Sequence, residues 1–380
     1  MDPKKIMIVA GEASGDRHAA KLVEAIREVR PEIEFFGSAG PLMRAAGVTP
    51  TVEADGLSIV GLAEIGRALP MFMKTMRTLR RTADGERPAV AVLVDFPDFN
   101  LKLAKHLKRL GIKVVYYISP QLWAWRRYRI STIRESVDLL LTILPFEKDW
   151  YARHGVEHVE YVGNPLAREV HATRSREEFC RDHGLDPAKE IISLLPGSRS
   201  KEISRILPVM LKAAAVISQS RHGAQFIVAL ANARHRRAVE HQVEKSGVAA
   251  KVICAETYDA LAASDAAAVT SGTATLEAGI IGTPMVIVYK TSGVNYKLLE
   301  PLIDVPHYGL INLIAGERLA TELIQQDLNT ETLSAELLSL LEPERNATMR
   351  RSLADAAAKL GRGGASMRAA EAVLRVMDQD

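Results

Sequence analysis

The sequence predicts an α/β fold of two tandem doubly wound, Rossmann-like domains with a cleft between them. Apolar runs of strand length alternate with amphipathic helical segments, an order typical of parallel sheets. The alternation pauses at a charged segment, residues 173–190, and then restarts. The 380 residues suit two domains of roughly 150–190 residues each. We expect domains at 1–172 and 173–345, with the helices of 346–380 packing back across them.

The first half contains four predicted strands, each an apolar run: 6–10, 89–94, 112–118 and 139–144. Arg17–Val29 repeats its apolar residues at helical spacing and is predicted as a helix. A second helix is expected to begin at the cap residue Asn100 and to end at Gly111.

The second half repeats the pattern with strands at 190–195, 225–230, 251–254, 266–269 and 285–289. The tail from Leu333 is predicted to be helical, with a break at residues 361–364. Tandem doubly wound domains bind ligands at the carboxyl ends of their strands. Four loops occupy such positions: 11–16, 95–100, 196–201 and 271–277.

Composition narrows the class of protein. A content of 47% hydrophobic and 25% charged residues is typical of a soluble globular enzyme, and a net charge of +3 gives no sign of nucleic-acid binding. Cys180 and Cys254 lack metal-ligand or disulfide spacing, which fits a reducing cytoplasm. No uncharged apolar run reaches the ~18–20 residues that span a bilayer. We expect a soluble or peripheral protein with no signal peptide and no cofactor.

The loop at 271–277 predicts a nucleotide diphosphate site. Ser271 and Thr273 are good helix caps, and Gly272 allows close approach of a ligand to the backbone up to Thr275. A helix start attracts a diphosphate, whereas Glu277, one turn further on, suits the diol of a ribose. An ordinary capped helix is the alternative interpretation.

The loop at 196–202 adds cations to the predicted nucleotide diphosphate site. Gly197 and Ser198 form a turn before a helix start, and Arg199 with Lys201 can neutralise a leaving diphosphate. A glycine turn alone is a weak signal. Its value comes from its pairing with the loop at 271–277 in one domain.

The loop at 11–16 stands where a dinucleotide-binding fold has its glycine fingerprint, but it lacks that pattern. Its acids, Glu12 and Asp16, suit a hydroxyl-bearing acceptor better than a pyrophosphate. The alternative is a tight strand-to-helix turn with Ser14 or Asp16 as the helix cap.

The loop at 95–100 supplies the predicted catalytic base, Asp98, placed just before a helix start. Phe96 and Phe99 flank it and are expected to desolvate its carboxylate, which would make it a stronger proton acceptor. Asp95 is interpreted as a loop or capping acid. The two acids lie three residues apart rather than at the D-x-D spacing of many metal-dependent glycosyltransferases, so we predict no metal.

Residues 67–81 carry five cations, no acid and a broad apolar arc, on a helix expected to start near Pro70. This pattern indicates either a core helix with a solvated basic face or an interfacial helix on anionic lipid. The expected membrane contacts are Phe72, Met73, Met76, Arg77, Arg80 and Arg81. Residues 123–129 also place aromatics beside cations, and packing against the sheet explains at least one of the two tryptophans.

Taken together, these residues resemble the lipid-A-disaccharide synthase family of GT-B glycosyltransferases, over nearly the whole chain. The motifs behind the resemblance are Gly11-Glu-Ala-Ser-Gly-Asp16, Asp95-Phe-Pro-Asp-Phe-Asn100, Ser119-Pro-Gln-Leu-Trp-Ala-Trp-Arg126 with Arg129, Leu144-Pro-Phe-Glu147, Leu195-Pro-Gly-Ser-Arg199 and Ser271-Gly-Thr-Ala-Thr-Leu-Glu277. The first three are the most specific, since the last is similar to the donor motif of many GT-B enzymes.

The resemblance implies that UDP-2,3-diacylglucosamine is joined with inversion to 2,3-diacylglucosamine 1-phosphate, giving a β1′→6 disaccharide and UDP. Asp98 and Glu12 would be catalytic. The implied donor site comprises Gly197, Ser198, Arg199, Ser271, Gly272, Thr273, Thr275, Glu277 and Asn312. The implied acceptor side comprises Ser14, Asp16, Asn100, Trp125, Arg126 and Arg129. Acylated substrates favour the interfacial interpretation of residues 67–81, at the cytoplasmic face of the inner membrane. Independently of this, a homo-oligomer remains open.

The chain departs from the family pattern at three places. Asn164 stands where a histidine is usual, so no general base is expected there. The segments 310–312 and 320–322 each lack a usual proline, which weakens the transfer of roles to Asn312, Glu322 and Gln325.

Other classes of function remain open at this point. A UDP-sugar epimerase can share the fold and the donor site, but it leaves the loop at 95–100 and the basic helix unexplained. A nucleotide- or lipid-binding module needs no base. A nicotinamide enzyme is disfavoured because neither half has the dinucleotide fingerprint.

Overall fold

The computed structural model describes residues 4–54, 65–293, 296, 305–361 and 363–379. The chain forms two compact units, the first comprising residues 1–165 and 363–380 and the second residues 166–362. The boundary between the two units thus falls after residue 165, whereas the sequence predicted it after residue 172. The C-terminal segment 346–380 is divided: residues up to 362 belong to the second unit, and the rest to the first.

The first unit is built on a parallel sheet of seven strands in the order β3-β2-β1-β4-β5-β6-β7. The strands are β1 Lys5–Val9, β2 Glu34–Ala39, β3 Thr49–Glu53, β4 Val90–Val94, β5 Lys113–Tyr117, β6 Leu139–Thr142 and β7 Val159–Tyr161. The helices are α1 Ala13–Val29, α2 Pro41–Ala45, α3 Ile65–Glu86, α4 Pro97–Arg109, α5 Ile130–Ser136, α6 Glu147–Arg153 and a last helix, Ala365–Asp378.

Apolar side chains bury both faces of this sheet. One core cluster joins β1 and β4 to α1 and to the last helix, through residues such as Leu22, Ile26 and Val373. The other joins the opposite face to α3, α4 and α6, with Leu79 and Leu107 among its members. Continuous apolar strands of this kind need cover on both sides, and the helices supply it.

The second unit has a parallel sheet of six strands in the order β10-β9-β8-β11-β12-β13. The strands are β8 Ile191–Leu195, β9 Gln225–Leu230, β10 Ala250–Cys254, β11 Ala266–Thr270, β12 Met285–Tyr289 and β13 Glu322–Ile324. The helices are α7 Leu166–Glu169, α8 Arg176–His183, α9 Ser200–Ser220, α10 Arg236–Ser246, α11 Thr257–Ala262, α12 Thr273–Ile281, α13 Leu310–Ala315, α14 Thr330–Leu340 and α15 Pro343–Ala358.

The four predicted loops follow the central strands of the two sheets. In the first unit β1 pairs with β4, and the loops 11–16 and 95–100 leave their carboxyl ends. In the second unit β8 pairs with β11, and the loops 196–201 and 271–277 leave theirs. Strand order reverses at each pair, which is where doubly wound sheets bind ligands. The predicted pair of doubly wound, Rossmann-like domains is confirmed.

Three helix starts differ from the prediction. Helix α1 begins at Ala13 rather than at Arg17. Helix α4 begins at Pro97 with Phe96 as its N-cap, so Asn100 lies inside the first turns and Asp98 in the first turn. Helix α3 begins at Ile65 and carries Pro70 inside it. A helix can carry a proline in its interior although one backbone hydrogen bond is lost there. Pro70 is therefore a weak marker of where helix α3 begins.

Candidate active site

A cavity of about 330 Å³ opens in the second unit between the loops that follow β8 and β11. This volume is within the range of small-molecule sites. Most of the predicted donor residues line it: Gly197, Ser198, Arg199, Ser271, Gly272, Thr273 and Glu277.

The start of α12 carries no side-chain cap, which corrects the capping role expected for Ser271 and Thr273. Gly272 is the N-cap residue, with a φ of 141°. Ser271 instead donates its hydroxyl to the Tyr308 carbonyl at 2.8 Å, and buried Thr275 donates to the Gly272 carbonyl at 2.8 Å. The amide groups of Thr273 and Ala274, both cavity residues, therefore meet no capping side chain, whereas the Thr275 amide donates to the Gly272 carbonyl at 3.1 Å.

Glu277 lies at the wall of the same cavity, one turn into α12. Tyr258 donates its hydroxyl to Glu277 Oε1 at 3.3 Å. A carboxylate held this way can accept hydrogen bonds from a diol. Tyr258 carries no signal in the sequence, because its contact depends on the packing of α11 beside α12.

Glu202 is a cavity residue that the sequence analysis missed. Its carboxylate accepts hydrogen bonds from the Ser198 and Arg199 amides, each at 3.3 Å, and from Arg199 Nη1 at 2.9 Å. It therefore caps the start of α9, and the Arg199 side chain is 81% exposed. An acid three residues after a turn is a known signal of such capping.

Asn312 is buried and does not line the cavity, contrary to its expected place in the donor site. It donates to the Ala320 carbonyl at 2.8 Å and to Glu322 Oε1 at 2.9 Å. Glu322 in turn accepts from the Tyr308 amide at 3.0 Å. Because the Tyr308 carbonyl binds Ser271, this network supports the cavity from behind.

In the first unit, Asp98 is exposed and ion-paired rather than desolvated, which corrects the expectation. Its side chain is 64% exposed. Arg126 Nη1 donates to its two oxygens at 2.8 and 3.1 Å, and Arg129 Nη2 donates to Oδ1. The flanking rings of Phe96 and Phe99 stack on each other instead, with centroids 5.6 Å apart.

Asp95, interpreted from the sequence as a loop or capping acid, is the perturbed carboxylate of this loop. Burial raises its pKa to about 6, and the nearby negative charge of Glu12 adds to the shift. Asp95 and Phe96 both adopt left-handed backbone conformations, with φ of 48° and 52°. Such conformations are unfavourable for residues other than glycine and cluster at functional sites.

Two side chains hold this backbone in place. Asn100, expected on the acceptor side, is fully buried and donates to the Val94 and Asp95 carbonyls at 3.2 and 2.8 Å. Tyr116 donates its hydroxyl to the Asp95 carbonyl at 2.6 Å. Asn100 thus positions the loop and is neither a helix cap nor an exposed acceptor contact.

The loop at 11–16 divides into an exposed and a buried part. Glu12 is the N-cap residue of α1 and is exposed, as is Ser14. Asp16 is buried and accepts from the Leu42 and Met43 amides at 2.9 and 3.1 Å. Asp16 therefore caps α2 rather than its own helix, whose N-cap residue is Glu12; its role is structural, but not as the cap of α1 that the alternative interpretation named.

The loop after β5 presents aromatic and cationic side chains. Trp125 is 42% exposed, and the Arg126 guanidinium lies 4.1 Å from the centre of its ring. Trp123 is buried and donates to Glu147 Oε1 at 3.1 Å. Burial raises the pKa of Glu147 to about 7. One tryptophan therefore packs into the unit, as expected, and the other faces solvent.

Helix α3 only partly matches the expected lipid-facing stripe. Phe72 and Met76 pack against the apolar core, which corrects their expected exposure. Met73 is 49% exposed, and Arg77 and Arg81 are exposed beside it. Arg80 is half-buried, and the side chains of 65–69, Arg67 included, lie outside the described residues. Of the residues that the structure describes, none forms a helix long and apolar enough to cross a membrane.

Comparison with known proteins identifies the family. The lipid-A-disaccharide synthetase family model matches residues 6–376. The chain belongs to the lipid-A-disaccharide synthetase family. It is 43% identical to the lipid-A-disaccharide synthase of Syntrophus aciditrophicus strain SB, over 99% of each chain. It is 42% identical to that of Myxococcus xanthus, over 99% of this chain and 98% of the relative. The predicted glycosyltransferase of lipid A biosynthesis is confirmed.

Solved structures share the fold at low identity. A UDP-GlcNAc 2-epimerase from Neisseria meningitidis, bound to UDP-GlcNAc, has a TM-score of 0.63 at 13% identity, with 98% of this chain and all of that one covered. The kitacinnamycin glycotransferase has a TM-score of 0.63 at 15% identity, covering 99% of this chain and all of that one. At such identities only the fold is shared, so the epimerase alternative is set aside.

Proposed function

We propose that this enzyme transfers the diacylglucosamine of UDP-2,3-diacylglucosamine to the 6-hydroxyl of 2,3-diacylglucosamine 1-phosphate. The acceptor oxygen forms a bond to the anomeric carbon while the bond to the UDP oxygen breaks, and UDP leaves with that electron pair. Attack from the opposite face inverts the centre and gives the β1′→6 linkage. Full-length similarity to lipid-A-disaccharide synthases carries this proposal.

The overall reaction is tested by a product assay with both substrates and with each omitted in turn. We expect a disaccharide 1-phosphate and UDP only when both lipids are present. A single rearranged sugar formed from the donor alone would contradict the proposal and favour an epimerase.

We propose that UDP binds in the cavity of the second unit. The uncapped start of α12 suits the diphosphate, Arg199 can approach it because its side chain is exposed, and Glu277 suits the ribose diol. The carboxylate of Glu202 occupies the amides of the opposite loop, so a phosphate there would require it to move.

Calorimetry of UDP binding tests this site. Glu277→Ala should weaken binding by about 1–3 kcal/mol, the range for losing a hydrogen bond to a charged group. Glu244→Ala removes an exposed acid of the same unit and serves as the matched control. Equal UDP affinity for Glu277→Ala and wild type would reject the placement.

We propose that Asp98 accepts the proton of the acceptor hydroxyl, with Glu12 as the competing candidate at the neighbouring strand end. Loss of a positioned base typically lowers the rate by ~10²–10⁴. Asp98→Asn should therefore lower kcat heavily and leave UDP affinity unchanged. Near-normal turnover of Asp98→Asn, combined with loss of turnover in Glu12→Gln, would move the role to Glu12.

We propose that the enzyme works in the cytoplasm, bound peripherally to the inner face of the inner membrane. The exposed parts of α3 support this, since Met73 stands beside the cations Arg77 and Arg81. Each cation near an anionic surface contributes about 1 kcal/mol, which salt screens. Binding to anionic vesicles should fall with salt and fall further in Met73→Ser, with an unchanged melting temperature. Phe72→Ser should instead lower the melting temperature, because Phe72 packs in the core.

A further inference from the structure

We propose that Arg126 and Arg129 form a subsite for a phosphate monoester, and that Asp98 occupies this subsite until the phosphate displaces it. The proposal rests on the proposed function in one respect: the acceptor is the lipid whose phosphate would bind there. It adds that the phosphate also releases the catalytic base.

The charge balance of this cluster favours an anion of higher charge than a carboxylate. Two guanidinium groups converge on the single carboxylate of Asp98, which leaves one positive charge in excess. Arg126 contacts both oxygens of Asp98, and Arg129 contacts one of them. A phosphate monoester carries close to two negative charges and offers three acceptor oxygens, so it matches two guanidinium forks better.

The arginines are positioned by contacts other than Asp98. Arg126 lies over the Trp125 ring at 4.1 Å, and Arg129 lies 5.8 Å from the centre of the Tyr128 ring. The Arg129 side chain is only 13% exposed. Because these contacts persist when Asp98 leaves, the pair remains available for another anion. The Asp98 side chain, by contrast, is 64% exposed, and the two arginines are its hydrogen-bond partners.

Stability alone does not account for this arrangement. Arg126 has a left-handed backbone, with a φ of 55°, which is unfavourable for a residue with a side chain. Ion pairs of exposed carboxylates such as Asp98 stabilise a fold only weakly. Left-handed backbone at residues other than glycine clusters at active sites and ligand sites.

Displacement would couple binding to catalysis. In the ion pair, the oxygens of Asp98 accept hydrogen bonds from the two arginines and cannot also accept one from a substrate hydroxyl in the same direction. A phosphate that binds both arginines frees these oxygens and repels the carboxylate. The phosphate should therefore raise kcat as well as lower KM.

The first experiment measures binding of inorganic phosphate by calorimetry at constant ionic strength. Arg126→Gln and Arg129→Gln should each weaken the phosphate site at least tenfold. Asp98→Asn should tighten it several-fold, because the competing carboxylate is gone. Arg109→Gln, an exposed arginine at the end of α4, is the control and should leave affinity unchanged. Phosphate affinity that stays unchanged after both arginines are replaced would overturn the proposal.

Circular dichroism and melting temperature establish that each variant is folded, and Arg126→Lys provides a second variant that keeps the charge but loses the fork. Phosphate affinity of Arg126→Lys should fall between those of wild type and Arg126→Gln. Unchanged or weaker phosphate binding in folded Asp98→Asn would overturn the proposal.

The second experiment measures turnover with a diacylglucosamine acceptor that lacks the 1-phosphate. We expect a kcat at least tenfold lower than with the phosphorylated acceptor, partly restored by added inorganic phosphate in wild type and not in Arg126→Gln. Equal kcat for the two acceptors would overturn the inference. If the phosphorylated pair gives no disaccharide at all, the proposed function fails, while the phosphate titration still tests the subsite by itself.

Discussion

Replacing Asp95 by asparagine should stabilise the first unit at neutral and alkaline pH. Burial and Glu12 raise the pKa of Asp95 from 3.8 to about 6. A shift of roughly two units corresponds to about 3 kcal/mol between the two protonation states. Since the Asp95 side chain is not fully buried, we expect Asp95→Asn to raise the free energy of unfolding by about 1–3 kcal/mol. Asparagine also tolerates the left-handed backbone at this position well.

The sign follows from the direction of the shift. The pKa of Asp95 is higher in the folded than in the unfolded chain. The contribution of Asp95 to the free energy of unfolding is therefore most favourable below about pH 4, where the carboxyl is protonated in both states. This contribution is lost as pH rises through about 6, because the folded protein must then hold a desolvated charge at Asp95. The advantage of Asp95→Asn should be small at pH 4 and full at pH 8.

Tryptophan fluorescence during urea unfolding measures this effect selectively. The three tryptophans, Trp123, Trp125 and Trp150, all belong to the first unit. Glu135→Gln, an exposed acid on α5, is the control and should show little change at either pH. An Asp95→Asn variant that is no more stable than wild type at pH 8, or equally favoured at both pH values, would refute the argument.

Three further substitutions test contacts of the first unit. Gly11→Ala should destabilise it by about 1–3 kcal/mol, because an added Cβ would lie 2.3 Å from the Phe96 ring; chemical unfolding measures the loss. Asp16→Ala should cost about 1–3 kcal/mol in the same assay, since two amides of α2 lose their acceptor. Glu147→Ala should lower the free energy of unfolding by about 1–3 kcal/mol, because the indole N–H of Trp123 alone then loses its acceptor. A shift in tryptophan emission should accompany this loss.

Local pattern was enough to predict the fold class, the central strands and the site loops, but it did not predict the outer strands β2, β3, β7 and β13. The apolar runs at 6–10 and 266–269 lie in strands, and the glycine turns after them mark the carboxyl ends where strand order reverses. Spacing along the chain carries this information, because parallel strands buried on both faces must be apolar throughout.

Contacts between distant parts of the chain could not be predicted in the same way. The environment of Asp95 depends on Glu12, which only the pairing of β1 with β4 brings near. The partners of Asp98 come from a loop about thirty residues away, so the flanking aromatics gave the wrong environment for it. In α3, one amphipathic pattern serves both core packing and exposure. The rings of Phe96 and Phe99 show that Phe72 is partly buried against the core.

The return of the last helix to the first unit has a consequence for biogenesis. Residues 365–378 cover α1 and complete its core cluster, with Asp378 paired to Lys4 at 2.8 Å. During translation this helix is made only after the whole second unit, so the first unit emerges from the ribosome while part of α1 is still exposed. The second unit is continuous in sequence and can complete its core earlier. We therefore expect the N-terminal unit to finish folding last, with an apolar face of α1 uncovered on the nascent chain until then.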